Sequence, residues 1–113
     1  MTAFERFDVV VVPFPFTVKT STKRRPAVVL SSAAQFNRAA KHTVLAMITS
    51  AIEQAWPLDV AISDLASAGL NVHCAVRLKL FTLDSRLILR KAGALGSKDR
   101  KAVDAAIGKL LIA

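Results

Sequence analysis

The sequence predicts a small, strongly bent antiparallel β-barrel of α+β character, with a C-terminal amphipathic helix laid over the sheet. Two observations predict it. Short β-branched runs separated by turn residues fill most of the chain, and a long helical apolar period appears only at its end. A chain of 113 residues is long enough for one core only, so we expect a single domain over 1–113.

Four short apolar runs predict the first part of the sheet. Each is bounded by proline or by a polar stretch and is too short for a helix. The first run should end near Pro13, because proline cannot donate a ladder hydrogen bond. The stretch 17–25 is polar and basic, without an acid, which predicts a solvated loop. The predicted strands are 7–12, 27–30, 43–49 and 58–62.

Two helices and a long strand are expected in the second half. Ser63-Asp64 before 65–68, with Gly69 behind, predicts a short capped helix. The run 72–83 alternates with a period of two, which places Arg77 and Lys79 on one face of a strand. The final helix should be capped by Ser97, carry Asp99 in its first turn, and present an apolar face made of Val103, Ile107, Leu110 and Leu111.

The charge of the chain indicates a polyanionic partner. Sixteen lysine and arginine residues against eight acidic residues give a formal net charge of +8 and an isoelectric point near 10.4. Such a surplus raises the local concentration of a polyanion, so we expect nucleic acid to be bound. Composition alone leaves open that the basic residues only keep an apolar domain soluble.

Composition also indicates an assembly state and a compartment. The mean hydropathy of +0.43 suggests more apolar surface than one small core can hide, so a homodimer is expected. Cys74 is the only cysteine and Met1 is not followed by a leader peptide, which together predict the cytoplasm. No apolar run approaches the ~20 residues that cross a bilayer, so we expect no membrane contact.

Three stretches of the sequence carry short motifs. Each motif alone is weak evidence for a family, but their order and spacing together are more specific. They are Asp8-Val9-Val10-Val11-Val12-Pro13-Phe14-Pro15-Phe16-Thr17, Lys23-Arg24-Arg25-Pro26-Ala27-Val28-Val29-Leu30-Ser31, and Ile48-Thr49-Ser50. A fourth, weaker stretch ends in Thr82-Leu83-Asp84. Together they resemble the MazF/PemK (Kid-like) family of toxin–antitoxin toxins over nearly the whole chain.

The resemblance implies an SH3-like barrel, a homodimer and a sequence-selective endoribonuclease that cuts single-stranded mRNA without a metal or cofactor. It also implies an acidic antitoxin that covers the basic groove, and DNA binding together with that antitoxin. One branch of the family places an acid just after the arginine that Arg77 matches. This chain has Leu78 and Lys79 there, so the general base is left unassigned.

Metal-free RNA cleavage uses the 2′-hydroxyl as nucleophile and needs a base, a cation for the phosphorane and an acid for the leaving oxygen. Arg25 is the first candidate, because a guanidinium offers a fork of donors to phosphate and stays charged. Thr49 is the second candidate, through its hydroxyl. Arg77 could add a second cationic edge, and His73 could supply the base.

Further residues are expected to bind RNA rather than to act on it. Lys19, Lys23, Arg24 and Lys79 would contact phosphates, and Phe16, with Phe14, could stack a splayed base. Each has an ordinary structural alternative, a solvated charge or an anchored ring. The competing hypothesis for the whole chain is a non-catalytic nucleic-acid- or protein-binding barrel, either a degenerate toxin or a relative of the gyrase-poisoning toxins.

Overall fold

The computed structural model describes residues 3–14 and 23–112, so the predicted RNA contacts Phe16 and Lys19 lie outside the described residues. Six strands form one antiparallel sheet, curled into a half-barrel, in the order β4-β5-β3-β2-β1-β6. This confirms the predicted fold class. The strands are β1 (Asp8–Phe14), β2 (Lys23–Val29), β3 (His42–Thr49), β4 (Val60–Ala61), β5 (Ala75–Asp84) and β6 (Arg90–Ala94).

Helical segments connect and cover the strands. A π-helical turn (Ala33–Asn37) runs into α1 (Arg38–Ala40), and a 3-10 turn (Ser85–Leu87) follows β5. The four-residue helix α2 (Leu65–Ala68) lies between β4 and β5, and α3 (Ser97–Leu111) ends the chain. Among the described helices, none is long and apolar enough to cross a membrane.

The sheet has two buried faces, because successive side chains of each strand point to opposite sides. One face, the helix face, carries Val28, Ala46 and Val76 and packs against Val103 of α3. The other, the Arg25 face, carries the apolar residues Val12, Ala27, Val29 and Leu45. Since Arg25 is two residues before Ala27 on β2, its side chain belongs to this second face.

The first two strands differ from their predicted bounds. Phe7 is not in β1, since its φ of 73° is incompatible with a strand. Pro13 lies inside β1 and pairs with Arg24, because β6 pairs with β1 only as far as Val11. The backbone nitrogen of Pro13 faces the side where β6 has already ended, so no strand needs the hydrogen bond that proline cannot donate. The predicted loop also ends earlier, since Lys23 already pairs with Phe14.

Three other predictions for the sheet are wrong in detail. The expected strand 58–62 is reduced to Val60–Ala61, because Leu58 has a φ of 67°. The helical segment between β2 and β3 was not expected; the hydroxyl of Ser32 caps it by accepting from the Gln35 N–H. Strand β6 was not predicted from the sequence.

One of the two predicted helix caps differs. Asp64, of the predicted pair Ser63-Asp64, caps α2, and Gly69 ends it in the left-handed conformation, both as predicted. Ser97 is the first residue of α3, after the cap residue Gly96. Asp99 is in the first turn, but it is only 2% exposed and accepts hydrogen bonds from the residues before α2.

The apolar face of α3 is shorter than predicted. Val103 and Ala106 are buried, and Ile107 packs against the core from its edge. Leu110 and Leu111 are exposed, because the last turn of the helix lies beyond the residues that pack against the core. The end of α3 therefore leaves apolar surface uncovered.

Two glycines let α2 and β6 pack backbone against backbone. A Cβ at Gly93 would lie 2.3 Å from the carbonyl oxygen of Ser67, and one at Gly69 would lie 2.1 Å from that of Ala92. Neither carbonyl is the end of a flexible side chain, so the elements themselves would have to separate. The short helix is thereby fixed to the edge strand.

We expect Gly93→Ala to lower the free energy of unfolding by about 1–3 kcal/mol, through this overpacking. Gly108→Ala is the matched control, because a Cβ there meets nothing within 4 Å and alanine favours a helix interior by about 0.5–1 kcal/mol. Urea titrations of both variants measure the effect. Equal stability of the two variants would contradict the packing described here.

Candidate functional site

Arg25 is placed by the pairing of β2 with its two neighbours. It pairs with Val12 of β1, and the β2–β3 register pairs Ala27 with Met47. Arg25 lies two residues before Ala27 and Thr49 two residues after Met47, so both lie just beyond this last observed pair and share one face by alternation. Thr49 in turn pairs with Ala75 of β5. The two residues predicted to act on RNA therefore lie at the same end of neighbouring strands.

The surroundings of Arg25 leave its positive charge uncompensated. Its guanidinium carbon lies 5.3 Å from the ring centroid of Phe14, within the range of a cation–π contact. Arg25 is exposed and forms no ion pair with a carboxylate of the described residues. The Thr49 hydroxyl accepts a hydrogen bond from the Ala51 N–H at 3.0 Å, and it keeps its own proton to donate.

Arg77, by contrast, is committed to a carboxylate. The residue is 8% exposed, and its Nε and Nη2 donate to the two oxygens of Asp59 at 3.2 and 2.9 Å. Nη2 also donates to the backbone oxygen of Gln54 at 2.8 Å. Hydrogen bonding from Arg77 outweighs burial and lowers the pKa of Asp59, while the pKa of Arg77 is raised by the same contact. Both groups therefore stay charged.

Trp56 lies over the side chains of β5. Its ring centroid is 4.8 Å from Nζ of Lys79 and 5.5 Å from the guanidinium carbon of Arg77. Leu78 and Lys79 lie where the β3–β5 register shifts, yet Arg77 and Lys79 still reach the same ring. The prediction that these two cations share a face is confirmed. Trp56 itself is 44% exposed.

A cavity of about 520 Å³ lies beside the basic segment, Lys23 to Arg25. The cavity lies on the helix face of β2. Arg24 and Arg90 line it over an apolar floor that includes Ile48 and Cys74, and Lys23 and Arg25 also contribute to its lining. Burial raises the pKa of the Cys74 thiol, which favours the unreactive neutral form. Among the described lining residues there is no acidic side chain.

The structure separates the predicted site residues into groups. Arg25, Thr49, Arg77 and Lys79 belong to one face, whereas Arg24 points to the other face of β2. His73 is exposed in the loop before β5, two residues from Ala75. Lys23 is exposed at the start of β2. The basic segment therefore lies along a rim between the cavity and the Arg25 face.

Three residues of this region were missed from the sequence. Asp59 is 18 positions away from Arg77, and nothing in the local pattern connects them. Trp56 and Arg90 had no expected role, the latter because β6 was not predicted. Only the tryptophan carried a signal, since tryptophan is enriched among the residues that dominate binding surfaces. No group of three described His, Cys, Asp or Glu residues could hold a metal ion.

The lowered pKa of Asp59 predicts how the Asp59–Arg77 contact responds to acid. A carboxylate with a depressed pKa keeps its stabilising effect through the ordinary carboxyl range, near 4, and loses it as the pH falls through the lowered value. Emission of Trp56, the single tryptophan, should therefore stay constant from neutral pH to about 4 and change below it.

Asp59→Asn should show the altered emission already at neutral pH. Asp84→Asn is the control, since it removes another arginine–carboxylate pair, with Arg86, far from Trp56. Circular dichroism separates this local release from unfolding. An emission change centred above pH ~4 would contradict the lowered pKa.

These features define a class of protein: a small basic half-barrel of antiparallel strands with an exposed arginine near the start of one strand and a threonine at the end of the neighbouring strand. The family model of PemK-like, MazF-like toxins of type II toxin–antitoxin systems matches residues 5–111. The chain belongs to this family, as the resemblance of its motifs predicted. Among curated proteins, none matches the chain.

Solved structures share the fold. MazF from Deinococcus radiodurans is 21% identical, with 96% of each chain covered and a TM-score of 0.74. A mycobacterial endoribonuclease in complex with its cognate antitoxin is 17% identical, covers 98% of this chain and 95% of its own, and has a TM-score of 0.75. The Mycobacterium tuberculosis toxin MazF-mt6 is 21% identical, with 90% and 93% covered and a TM-score of 0.70.

Proposed function

We propose that this chain is a metal-independent, sequence-selective endoribonuclease that cuts single-stranded mRNA. The observation that carries the proposal is an exposed Arg25 that has no carboxylate partner among the described residues, on the strand next to the one that ends at Thr49. Its family membership and its net charge of +8 support the same conclusion.

In the proposed reaction the 2′-hydroxyl oxygen attacks the adjacent phosphorus and gives up its proton, the bond to the 5′-oxygen breaks, and the departing 5′-oxygen takes up a proton from solvent. The products are a 2′,3′-cyclic phosphate and a 5′-hydroxyl. Arg25 stabilises the charge that builds on the phosphorane oxygens, because its planar donors match two of them. Thr49 donates its hydroxyl proton toward the same phosphate.

The 2′-hydroxyl proton also needs an acceptor. Asp59 is unsuited, because its carboxylate is held by Arg77 and its pKa is lowered. His73 is exposed at the entrance to β5 and is the candidate for this role. Arg77 acts on the reaction only by positioning its neighbours, since its donors are directed to Asp59 and Gln54.

RNA binding is proposed for the basic rim. Lys23 and Arg24 of the rim are exposed and would contact phosphates with salt-dependent strength. Lys79 of β5 is also exposed and would do the same. The same role is proposed for Lys19, with base stacking for Phe16. An acidic antitoxin would compete for this surface and would bind DNA together with the toxin.

We also propose that the chain forms a homodimer and that it acts in the cytoplasm. Exposed apolar side chains support the homodimer. A single domain over 1–113 leaves several large side chains without cover, and a second copy is the simplest way to remove them from water. They include Leu80, Leu87, Leu89, Leu110, Leu111 and Ile112.

Incubation of the purified chain with a long unstructured RNA in EDTA tests the proposal. We expect fragments with defined ends, whose 5′-hydroxyl groups accept phosphate from a polynucleotide kinase without prior phosphatase treatment. RNA that stays intact across pH and salt conditions, although the protein binds it, would instead support the non-catalytic barrel.

A further inference from the structure

The segment between β3 and β4 is held against β5 by three hydrogen bonds from Arg77, and a fourth lies within the segment. Asp59 receives two hydrogen bonds from Arg77 and a third from the backbone N–H of Trp56, at 2.9 Å. The carbonyl of Gln54 accepts from the same guanidinium. Leu58 takes the left-handed conformation that turns the chain between Trp56 and Asp59. One buried arginine thus fixes the backbone on which Trp56 is carried.

Trp56 is not used to fill the core. Its ring rests on Arg77 and Lys79 but remains 44% exposed, so one surface contacts cations and another is open to solvent. Asp59 neutralises Arg77, and Lys79 has no carboxylate partner in the part of the chain that the structure describes, so Lys79 is the charge beside the ring that is left for a partner. An aromatic surface beside an uncompensated cation is the combination that binds a base together with its phosphate.

The position of the ring relates it to Arg25. Arg77 and Arg25 belong to the same face of the sheet, two strands and two residues apart, which is roughly 12 Å by the spacing and rise of a β-sheet. Phe14 contacts Arg25 from β1, on the side away from β5. Two exposed rings therefore flank the Arg25–Thr49 pair across the strands.

We propose that Trp56 is a base-stacking residue for single-stranded RNA, held in place by the Asp59–Arg77 contact. The proposal rests on the proposed function, whose phosphate site it extends by one nucleobase position. The indole stacks on an unpaired base near the phosphate bound at Arg25, and Lys79 binds a phosphate of the same strand. Asp59 and Arg77 are positioning residues, since neither is directed toward the base.

Binding is measured with uncleavable 2′-fluoro RNA oligomers about 12 nucleotides long, and with a phosphate backbone of equal length that carries no bases. Trp56 is the only tryptophan, so its fluorescence reports directly on stacking. We expect quenching by the base-bearing oligomers and none by the abasic one. Anisotropy of a labelled oligomer should show that Trp56→Ala weakens binding roughly 5- to 150-fold and that Trp56→Phe restores most of it.

Phe36→Ala is the matched control, because Phe36 is an aromatic residue of similar exposure, 39%, in the helical segment before β3. It should leave the affinity unchanged. Asp59→Asn should weaken oligomer binding and reduce the quenching, although the indole itself is intact. The proposal is overturned by wild-type affinity in Trp56→Ala, or by equal quenching from the abasic backbone.

The two proposals fail in different ways. If the oligomers quench Trp56 and bind through it but no RNA is ever cut, the stacking site stands and the nuclease does not. If RNA is cut and Trp56→Ala binds and cuts like the wild type, the nuclease stands and the stacking site is excluded. Loss of binding to an acidic antitoxin peptide alone, with RNA affinity unchanged, would assign the ring to the antitoxin and overturn the proposal.

Discussion

Replacing Arg25 by alanine is expected to slow RNA cleavage by roughly 10²–10³-fold, the range found when one donor to a developing oxyanion is removed. The side chain is exposed on β2, so its loss should not disturb the core. Arg25→Lys should recover only part of the rate, because lysine keeps the charge but lacks the planar fork of donors. Single-turnover cleavage at saturating protein measures the effect on the chemical step.

Arg24→Ala is the matched control for this experiment. It removes the same charge from the adjacent position, but from a side chain that points to the other face of β2 and lines the cavity. We expect weaker RNA binding at moderate salt and a nearly unchanged rate at saturation. Equal rate losses in Arg24→Ala and Arg25→Ala would show that the segment contributes only charge.

Replacing Asp99 by alanine is expected to lower the free energy of unfolding by about 2–3 kcal/mol, because charged hydrogen bonds are lost and buried donors are left without a partner. The carboxylate is 2% exposed and accepts from the N–H and hydroxyl of Ser63 and from the N–H of Asp64. It joins the first turn of α3 to the chain before α2. Denaturant titration measures the loss.

Asp99→Asn separates the charge from the packing. Burial disfavours the ionised form of Asp99, but the hydrogen bonds from Ser63 and Asp64 outweigh it and lower the pKa. This stabilisation is therefore present above the ordinary carboxyl pKa and is lost as the pH falls through the lowered value. The stability difference between wild type and Asp99→Asn should shrink below pH ~4. A difference that is independent of pH would contradict the role given to the charge.

Local pattern predicts most of the fold, because burial and backbone pairing leave a period in the sequence. The alternation through 72–83 predicted a strand and the apolar period after Ser97 predicted α3, although Leu80, Leu110 and Leu111 are exposed. The basic segment shows where this fails. Lys23 to Arg25 are polar and were assigned to a loop, yet they belong to β2. Their backbone pairs with residues 12–14 of β1, and this pairing is compatible with exposed polar side chains.

The candidate site was predictable only where it lies on one strand. Arg25 and Thr49 were identified by motif, and the antiparallel pairing of β2 with β3 puts them at the same end of neighbouring strands. The partner of Arg77 was not predictable, because Asp59 reaches it through a turn made by Leu58, a residue that rarely adopts a positive φ. The same turn places the ring of Trp56 against the Arg77 and Lys79 side chains of β5.

The central claim is that the chain cuts RNA through the 2′-hydroxyl at the Arg25–Thr49 position, and one matched pair of oligomers tests it most directly. Both oligomers carry a cleavage sequence mapped on long RNA, and one lacks the 2′-hydroxyl only at the nucleotide 5′ to the scissile bond. In EDTA, the all-ribose oligomer should be cut and the deoxy oligomer should stay intact while binding with similar affinity. Cleavage of both oligomers at that bond would contradict the mechanism.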